Sequence, residues 1–397
     1  MNKVLYVYGM SQTKDIVYNL KKIGYEVEEY HLGRNNSIVS EDDINKLTAY
    51  VKENHITYLV SIHLIYNVAV AAYKSNIKYV SIIWDAPYIK VYTPFGKLDN
   101  CWYSVFDKLD YERFLADGIP HMLYQPLAVN QDDVRRWDVK RKLGGKYFND
   151  ISFVGSLYED NLYDKYLKEI PAQIQNYFTS IFEEAAFCWD GRNRIYGKTG
   201  KEILDYVRLM NTDFVLDNVY DIDDVKYFET QYLIKKIANI ERICILNLLG
   251  EQFPVTFYTY RKTDTSKLSN VKVMPPVEPG EASAIVYAGS KINLNISLKG
   301  IEGGTPQRIM DILGAGGFVM TNYCEETAEL FEEDREIVMF RTPEELMEKV
   351  SYYLIHDRER EQIAVSGCRK VLQCYTYEKK LRQLMKWVEG VNAVSCE

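Results

Sequence analysis

The residues with the clearest chemical purpose form the run Gly303-Gly304-Thr305-Pro306-Gln307-Arg308, with Asp311 three positions further on. Two glycines let backbone N–H groups approach an anion closely, and a helix that starts after them favours negative charge at its N-terminus. Thr305 is a good N-cap, Pro306 fits the first helical position, and Gly316-Gly317 marks the stop. Gln307 and Arg308 then stand in the first turn, where Arg308 offers a bidentate contact to a phosphate. Asp311 shares a helical face with Arg308, and an acceptor-only carboxylate there suits a ribose diol. Diphosphate, then sugar hydroxyls, then base is the order in which a nucleotide sugar would lie. The plainer alternative is a glycine turn followed by a surface ion pair between Arg308 and Asp311.

Other candidates sit where apolar runs end. Asp85 follows the run 79–83 and precedes Ala86-Pro87. It is a candidate general base or hydroxyl-positioning acceptor, or simply a turn-capping Asp before proline. His63 and Trp84 are candidates for the acceptor side of a cleft, or for packing. Gly155 and Ser156 end the run 151–154 and offer backbone N–H groups to a diphosphate. Arg261, with Lys262, ends the run 255–260 and is a further phosphate candidate. Gly197-Lys198-Thr199 superficially matches a nucleotide-triphosphate loop, but Arg192 stands where that motif needs glycine, so this reading is set aside. The acidic residues Asp217, Asp221, Asp223 and Asp224 read as a solvated loop before a cation site.

These positions need a scaffold, and the hydrophobic pattern supplies one. Apolar runs at 4–8, 57–62, 79–83, 101–106 and 121–125 alternate with helical segments, one of them capped by Ser40. Near-continuous apolar strands between helices indicate a parallel sheet covered on both faces, whose ligands bind beyond the strands' carboxyl ends. A charged, glycine-ended stretch over 130–149, with Arg135 and Arg136, reads as a linker. The alternation restarts at 151–154, breaks for a mostly helical stretch at about 158–250, and resumes at 255–260, 271–274, 292–296, 318–321 and 337–340. Thr199 with Glu202 reads as a capping box within the helical stretch. The expected fold is α/β, with two Rossmann-like doubly wound domains facing a cleft and a helical insertion in the second. Residues 1–149 form the acceptor-side domain with its linker and 150–375 the donor domain. Residues 376–397 form a C-terminal helix that returns to the first domain.

Bulk properties narrow the function classes. The chain of 397 residues holds 47% apolar and 26% charged residues, an ordinary globular balance with material for two cores. A formal net charge of −8 offers no broad basic face to nucleic acid. Seven scattered cysteines, among them Cys396, and five histidines form neither a Cys-x-x-Cys pair nor a metal-ligand spacing, so no metal is expected. The start lacks a signal-type segment and no apolar run reaches the roughly 20 residues of a membrane span, so a cytoplasmic location is expected.

Residues 292–385 resemble the C-terminal region of the spore maturation protein CgeB-like glycosyltransferases, a GT-B family. The likeness rests on 293–296, on 305–317 with Arg308 and Asp311, on Phe318-Val319-Met320-Thr321-Asn322, Glu329-Leu330-Phe331 and Tyr375-Thr376-Tyr377. A weaker likeness covers Trp84-Asp85-Ala86-Pro87, Phe106-Asp107, 124–129 and 153–157. The resemblance implies a sugar transferred from a nucleoside-diphosphate sugar, with a uridine diphosphate sugar as the expected co-substrate and no other cofactor. It implies that Asp311 holds the ribose and that the loop Met274-Pro275-Pro276-Val277 covers the base, with Val277 touching it. Many retaining members carry two glutamates eight positions apart; here Gly303 stands eight before Asp311, with Glu302 one residue off, which leaves the stereochemistry open. Acceptor and oligomeric state are open too. Two other readings remain: a non-catalytic nucleotide-sugar-binding or scaffold protein of the same fold, and a sugar-nucleotide epimerase.

Overall fold

The computed structural model describes residues 2–9, 14–32, 39–133, 138–167, 169–190, 194–211, 214, 216 and 220–390. Arg135 and Arg136 of the expected linker, Arg192, Asp217 and Cys396 lie outside the described residues.

Among the described residues, twelve strands form two parallel sheets. The first holds β1 (Lys3–Tyr8), β2 (Glu26–His31), β3 (Tyr58–Ile62), β4 (Lys78–Ile83), β5 (Cys101–Val105) and β6 (Met122–Tyr124), in the order β2-β1-β3-β4-β5-β6. The second holds β7 (Asn149–Val154), β8 (Val255–Tyr258), β9 (Val271–Met274), β10 (Ser290–Asn295), β11 (Val319–Asn322) and β12 (Val338–Phe340), in the order β12-β11-β10-β7-β8-β9. In each sheet the order reverses beside the strand that opens the domain. That creates a crevice at the carboxyl ends of β1 and β3, and another at those of β7 and β10. Every residue of β3 is buried, as a strand covered on both faces requires. Ser40 accepts the N–H of Asp43 at 3.3 Å and caps the helix Glu41–Glu53, as its sequence predicts.

Between β7 and β8 the chain makes the helices Leu162–Tyr166, Ala172–Ala186, Lys201–Met210, Asp224–Phe228 and Ile234–Gly250. This insertion has its own core of Phe178, Phe182, Phe228 and Leu233. Its last helix also lays Ile245, Leu246 and Leu249 against the second sheet, while Tyr220, Ile222 and Tyr227 pack on the core of the first domain. The insertion therefore bridges both domains. A π-helical turn, Glu229–Leu233, leads into its last helix. The expected capping box at Thr199 does not form. Gly200 is the N-cap of Lys201–Met210, and the Thr199 N–H is donated to Glu229 Oε1 at 2.8 Å instead.

The charged stretch before β7 is more than a linker. Val139–Lys142 is a helical turn whose Val139 is buried among residues of the second domain, and Lys140 Nζ donates to the carbonyl of Gly316 at 3.1 Å. At the other end of the chain, the helix Tyr377–Val388 lies on the first domain. There Leu381, Leu384, Met385 and Val388 join Val4, Tyr6, Ile16 and Leu20 in one apolar cluster. Among the described residues, no helix is long and apolar enough to cross a membrane.

Candidate functional site

The cleft between the domains has a volume of about 610 Å³, within the ~300–1,000 Å³ usual for small-molecule sites. Its first-domain wall comes from the ends of β3 and β4: His63, Trp84 and Asp85. Its second-domain wall comes from the end of β10, from the first turn of the helix Gln307–Gly314 and from the insertion: Asn295, Gln307, Arg308, Tyr158 and Arg242.

Arg308 Nη1 donates to Asn295 Oδ1 at 3.0 Å, and Asn295 is itself fixed by donating to Ser297 Oγ at 2.8 Å and Thr321 Oγ1 at 2.9 Å. The other terminal nitrogen, Nη2, lies beside Gly155: a Cβ there would meet it at 3.2 Å. Glycine at 155 therefore leaves the guanidinium its place, but its N–H is donated to the Tyr258 carbonyl at 3.0 Å and is not available to a diphosphate as expected. Arg242 shares the Phe153 ring with Arg308, each guanidinium carbon 5.3 Å from the ring centre. Arg242 is buried; it donates to the carbonyls of Ser156 at 2.6 Å and Ile296 at 2.8 Å and stacks over Tyr158 at 4.7 Å. Neither guanidinium ion-pairs with a carboxylate among the described residues, and the Arg242 Nε–H has no partner there. Burial pulls the pKa of Arg242 down to about 10, and the charge of Arg308 adds to the shift. Two adjacent, uncompensated cations at a helix start make a site for a doubly charged anion.

Ser156 Oγ is taken by the N–H of Tyr158 at 3.0 Å, which leaves Ser156 to contribute backbone and to hold Arg242. Gln307 Nε2 donates to the Ala128 carbonyl at 3.1 Å and to Asp311 Oδ1 at 3.0 Å, while its Oε1 is buried with no partner among the described residues. Arg308 thus turns to Asn295 and Asp311 to Gln307. Asp311 does not line the cleft, and neither do Arg261, exposed beyond β8, nor the half-buried Val277.

The diglycine differs from its expected use. The N–H groups of Glu302 and Gly303 both donate to Asp107 Oδ2, at 3.0 and 3.1 Å, and Asp107 Oδ1 accepts from Leu109 and Asp110 at 3.0 Å each. The anion over this glycine turn is a carboxylate of the chain itself, fully buried, with burial raising its pKa and the N–H groups lowering it. Gly304 packs on Phe106, whose ring a Cβ would meet at 2.7 Å. Glycines are needed here for the close approach of the two domains. Thr305 does not cap the helix either. Pro306 is the N-cap residue, and the Thr305 hydroxyl is donated to Glu326, a buried carboxyl that sequence offers no sign of. Glu302 is bound by Arg113, so its carboxylate is directed away from the cleft.

On the opposite wall His63 Nε2 lies 3.2 Å from Asp85 Oδ2. His63 is held by a stacked Tyr88, ring centres 5.2 Å apart, and sits at φ 61°, a left-handed conformation rare outside glycine. Burial keeps the imidazole below its ordinary pKa, with Asp85 opposing that shift and Lys90 adding to it. The neutral ring therefore presents Nε2–H to Asp85, whose side chain is 72% exposed at the cleft mouth. Trp84 is half-buried, 6.3 Å from the ring of Tyr377. Sequence reasoning missed Arg242, Tyr158 and Asn295; the signal was faint, one arginine in a helix that carries other charged residues as well.

Residues 231–386, less than half of the chain, match the family described as "Glycosyl transferase-like". No curated protein matches at the sequence level. Among solved structures, a glycosyltransferase from Rickettsia africae is similar at TM-score 0.56 and 8% identity, covering 99% of both chains. The Anabaena protein HepE, in complex with UDP-glucose, is similar at TM-score 0.55 and 10% identity, covering 98% of this chain and 99% of its own. Sucrose-phosphate synthase from Thermosynechococcus elongatus is similar at TM-score 0.51 and 9% identity, over 100% of both chains. The fold is the two-domain GT-B arrangement.

Proposed function

We propose that this GT-B chain is a glycosyltransferase that moves a sugar from a nucleoside-diphosphate sugar, a UDP-sugar in the first instance, to an acceptor hydroxyl in the interdomain cleft. The observation that carries this reading is the pair Arg308 and Arg242, two guanidiniums without carboxylate partners at the start of the helix Gln307–Gly314. The match of residues 231–386 supports the reaction class, and the sugar nucleotide held by HepE supports the choice of donor. The finer kinship, to CgeB-like glycosyltransferases, rests on the motif around Arg308 and Asp311.

The steps follow from the walls of the cleft. Asp85, oriented by the Nε2–H of His63, takes the proton of the acceptor hydroxyl. The acceptor oxygen bonds to the anomeric carbon as the bond from that carbon to the diphosphate breaks, and the diphosphate leaves with the electron pair. Arg308, Arg242 and the free N–H groups of the helix start stabilise the charge it gains. Asp311 can reach the ribose only if the Gln307 amide swings off its carboxylate, because Asp311 does not itself line the cleft. With two fixed cations supplying charge compensation, the reaction needs no divalent metal. Trp84 forms the acceptor-side wall.

Thermal unfolding of the purified chain with a panel of nucleoside diphosphates and their sugars tests the reading. UDP should raise Tm, because a ligand that binds only the folded state stabilises it. Arg308→Ala should remove that shift. A shift unchanged in Arg308→Ala would take this residue out of the site; conversion of the donor sugar with no acceptor would indicate an epimerase, and binding without turnover a scaffold.

A further inference from the structure

A second cavity, of about 530 Å³, lies beside the cleft and is unused by the reaction steps above. Pro87, Tyr88, Ile89 and Thr230 line both spaces, so the two share a wall. One wall is the first domain, with Tyr92 in the turn Ile89–Tyr92 and Arg113 in the helix Lys108–Ala116. The other wall is the helical insertion, which contributes Tyr196, Lys226 and Glu229. Glu229 and Thr230 lie in the π-helical turn, a departure from regular helix that is frequent at functional sites.

The lining selects a ligand class. Its charges are already matched: Arg113 is held by Glu302 and Asp110, and Lys226 lies 3.7 Å from Asp117 and donates to the Tyr92 hydroxyl at 3.3 Å. Among the described residues an anionic ligand finds no spare cation, and the carboxylates outside these pairs, Asp223 and Glu229, already accept backbone N–H groups. Glu229 accepts the N–H groups of Gly197 and Thr199, at 3.1 and 2.8 Å, and keeps lone pairs for hydroxyl donors. An acyl chain would desolvate these carboxylates without replacing their hydrogen bonds. Rings of Tyr88, Tyr92, Phe114 and Tyr196 alternate with the polar groups, apolar faces beside acceptors. A pyranose has the same make-up: C–H faces edged with hydroxyls.

We propose that this cavity, built by the insertion against the first domain, binds the saccharide portion of a neutral, sugar-containing acceptor whose reacting end lies at Asp85. The proposal rests on the glycosyltransferase reading. Saturation-transfer NMR of the full chain with UDP and four neutral trisaccharides (maltotriose, cellotriose, mannotriose and chitotriose) tests it, with a trigalacturonate and a short acyl glycol as contrasts. At least one neutral trisaccharide should bind. Its affinity should fall tenfold or more in Ala116→Trp and in Val225→Trp, which fill the cavity from half-buried or exposed positions outside the reaction centre. The UDP-induced rise in Tm should persist in both variants, which also shows that they fold. Binding of none of the four, undiminished binding in both variants, or preference for either contrast ligand would overturn the proposal. Loss of the UDP shift in the unaltered chain would instead remove the donor reading beneath it.

Discussion

Arg308 carries the donor half of the site on one side-chain hydrogen bond, to Asn295, and the remainder of its fork faces the cleft. A charge-assisted contact of this kind is worth about 1.5–3 kcal/mol, so Arg308→Ala should weaken UDP roughly 10- to 150-fold, measurable by calorimetry. Asp85 is exposed and bonds to His63 at the cleft mouth, so Asp85→Asn should leave UDP affinity alone while lowering kcat about 10²-fold or more. Equal kcat in that variant would end its role as base. Arg308 was legible because proline and glycine punctuate the helix that bears it. Arg242 was not: an arginine after Glu241 in a long helix carries no local signature, and only the fold brings it onto the same ring as Arg308.

At the scale of elements, the turn 301–306 is a coupling between domains. Four N–H groups converge on Asp107, two from its own helix and two from the turn that precedes Arg308. A Cβ on Gly303 would stand 2.8 Å from the Leu109 nitrogen, a backbone atom that cannot swing away. Gly303→Ala should therefore cost about 1–3 kcal/mol of stability and show as a lowered Tm. An unchanged Tm would mean that the two domains part more easily than this packing implies. The glycines and the helix after them were legible, since both are local matters of backbone freedom. The anion they hold was not, because Asp107 lies almost two hundred residues earlier, and Thr305 was misassigned because its hydroxyl finds Glu326 only in three dimensions.

For the whole molecule, Glu326 reports on the join. It accepts from the Tyr124 hydroxyl of the first domain at 2.6 Å, and burial pushes its pKa up to about 7. The folded state therefore holds a proton that the unfolded chain, at about 4.3, releases. Stability from this group is full at low pH and declines as pH climbs from the ordinary carboxylate value to about 7. Glu326→Gln, which mimics the protonated form, should match the parent near pH 4 and exceed it in Tm by several degrees at pH 8, an effect on the order of a few kcal/mol. Parallel Tm profiles across that window would remove the group from the linkage. The two-sheet architecture itself was readable throughout, because buried parallel strands are short apolar runs between helices. The bridging role of the insertion was not readable, since Tyr220, Ile222 and Tyr227 look like ordinary loop and helix residues until the first domain's core meets them.

The helix Tyr377–Val388 closes the apolar face of the domain that the chain began. During synthesis, Val4, Tyr6, Ile16 and Leu20 leave the ribosome more than 350 residues ahead of the segment that covers them. At about 5–20 residues per second, that face waits on the order of tens of seconds for its lid. A nascent chain stalled before residue 377 should then be a client for chaperones that shield greasy surface, and release of the last helix should end that dependence.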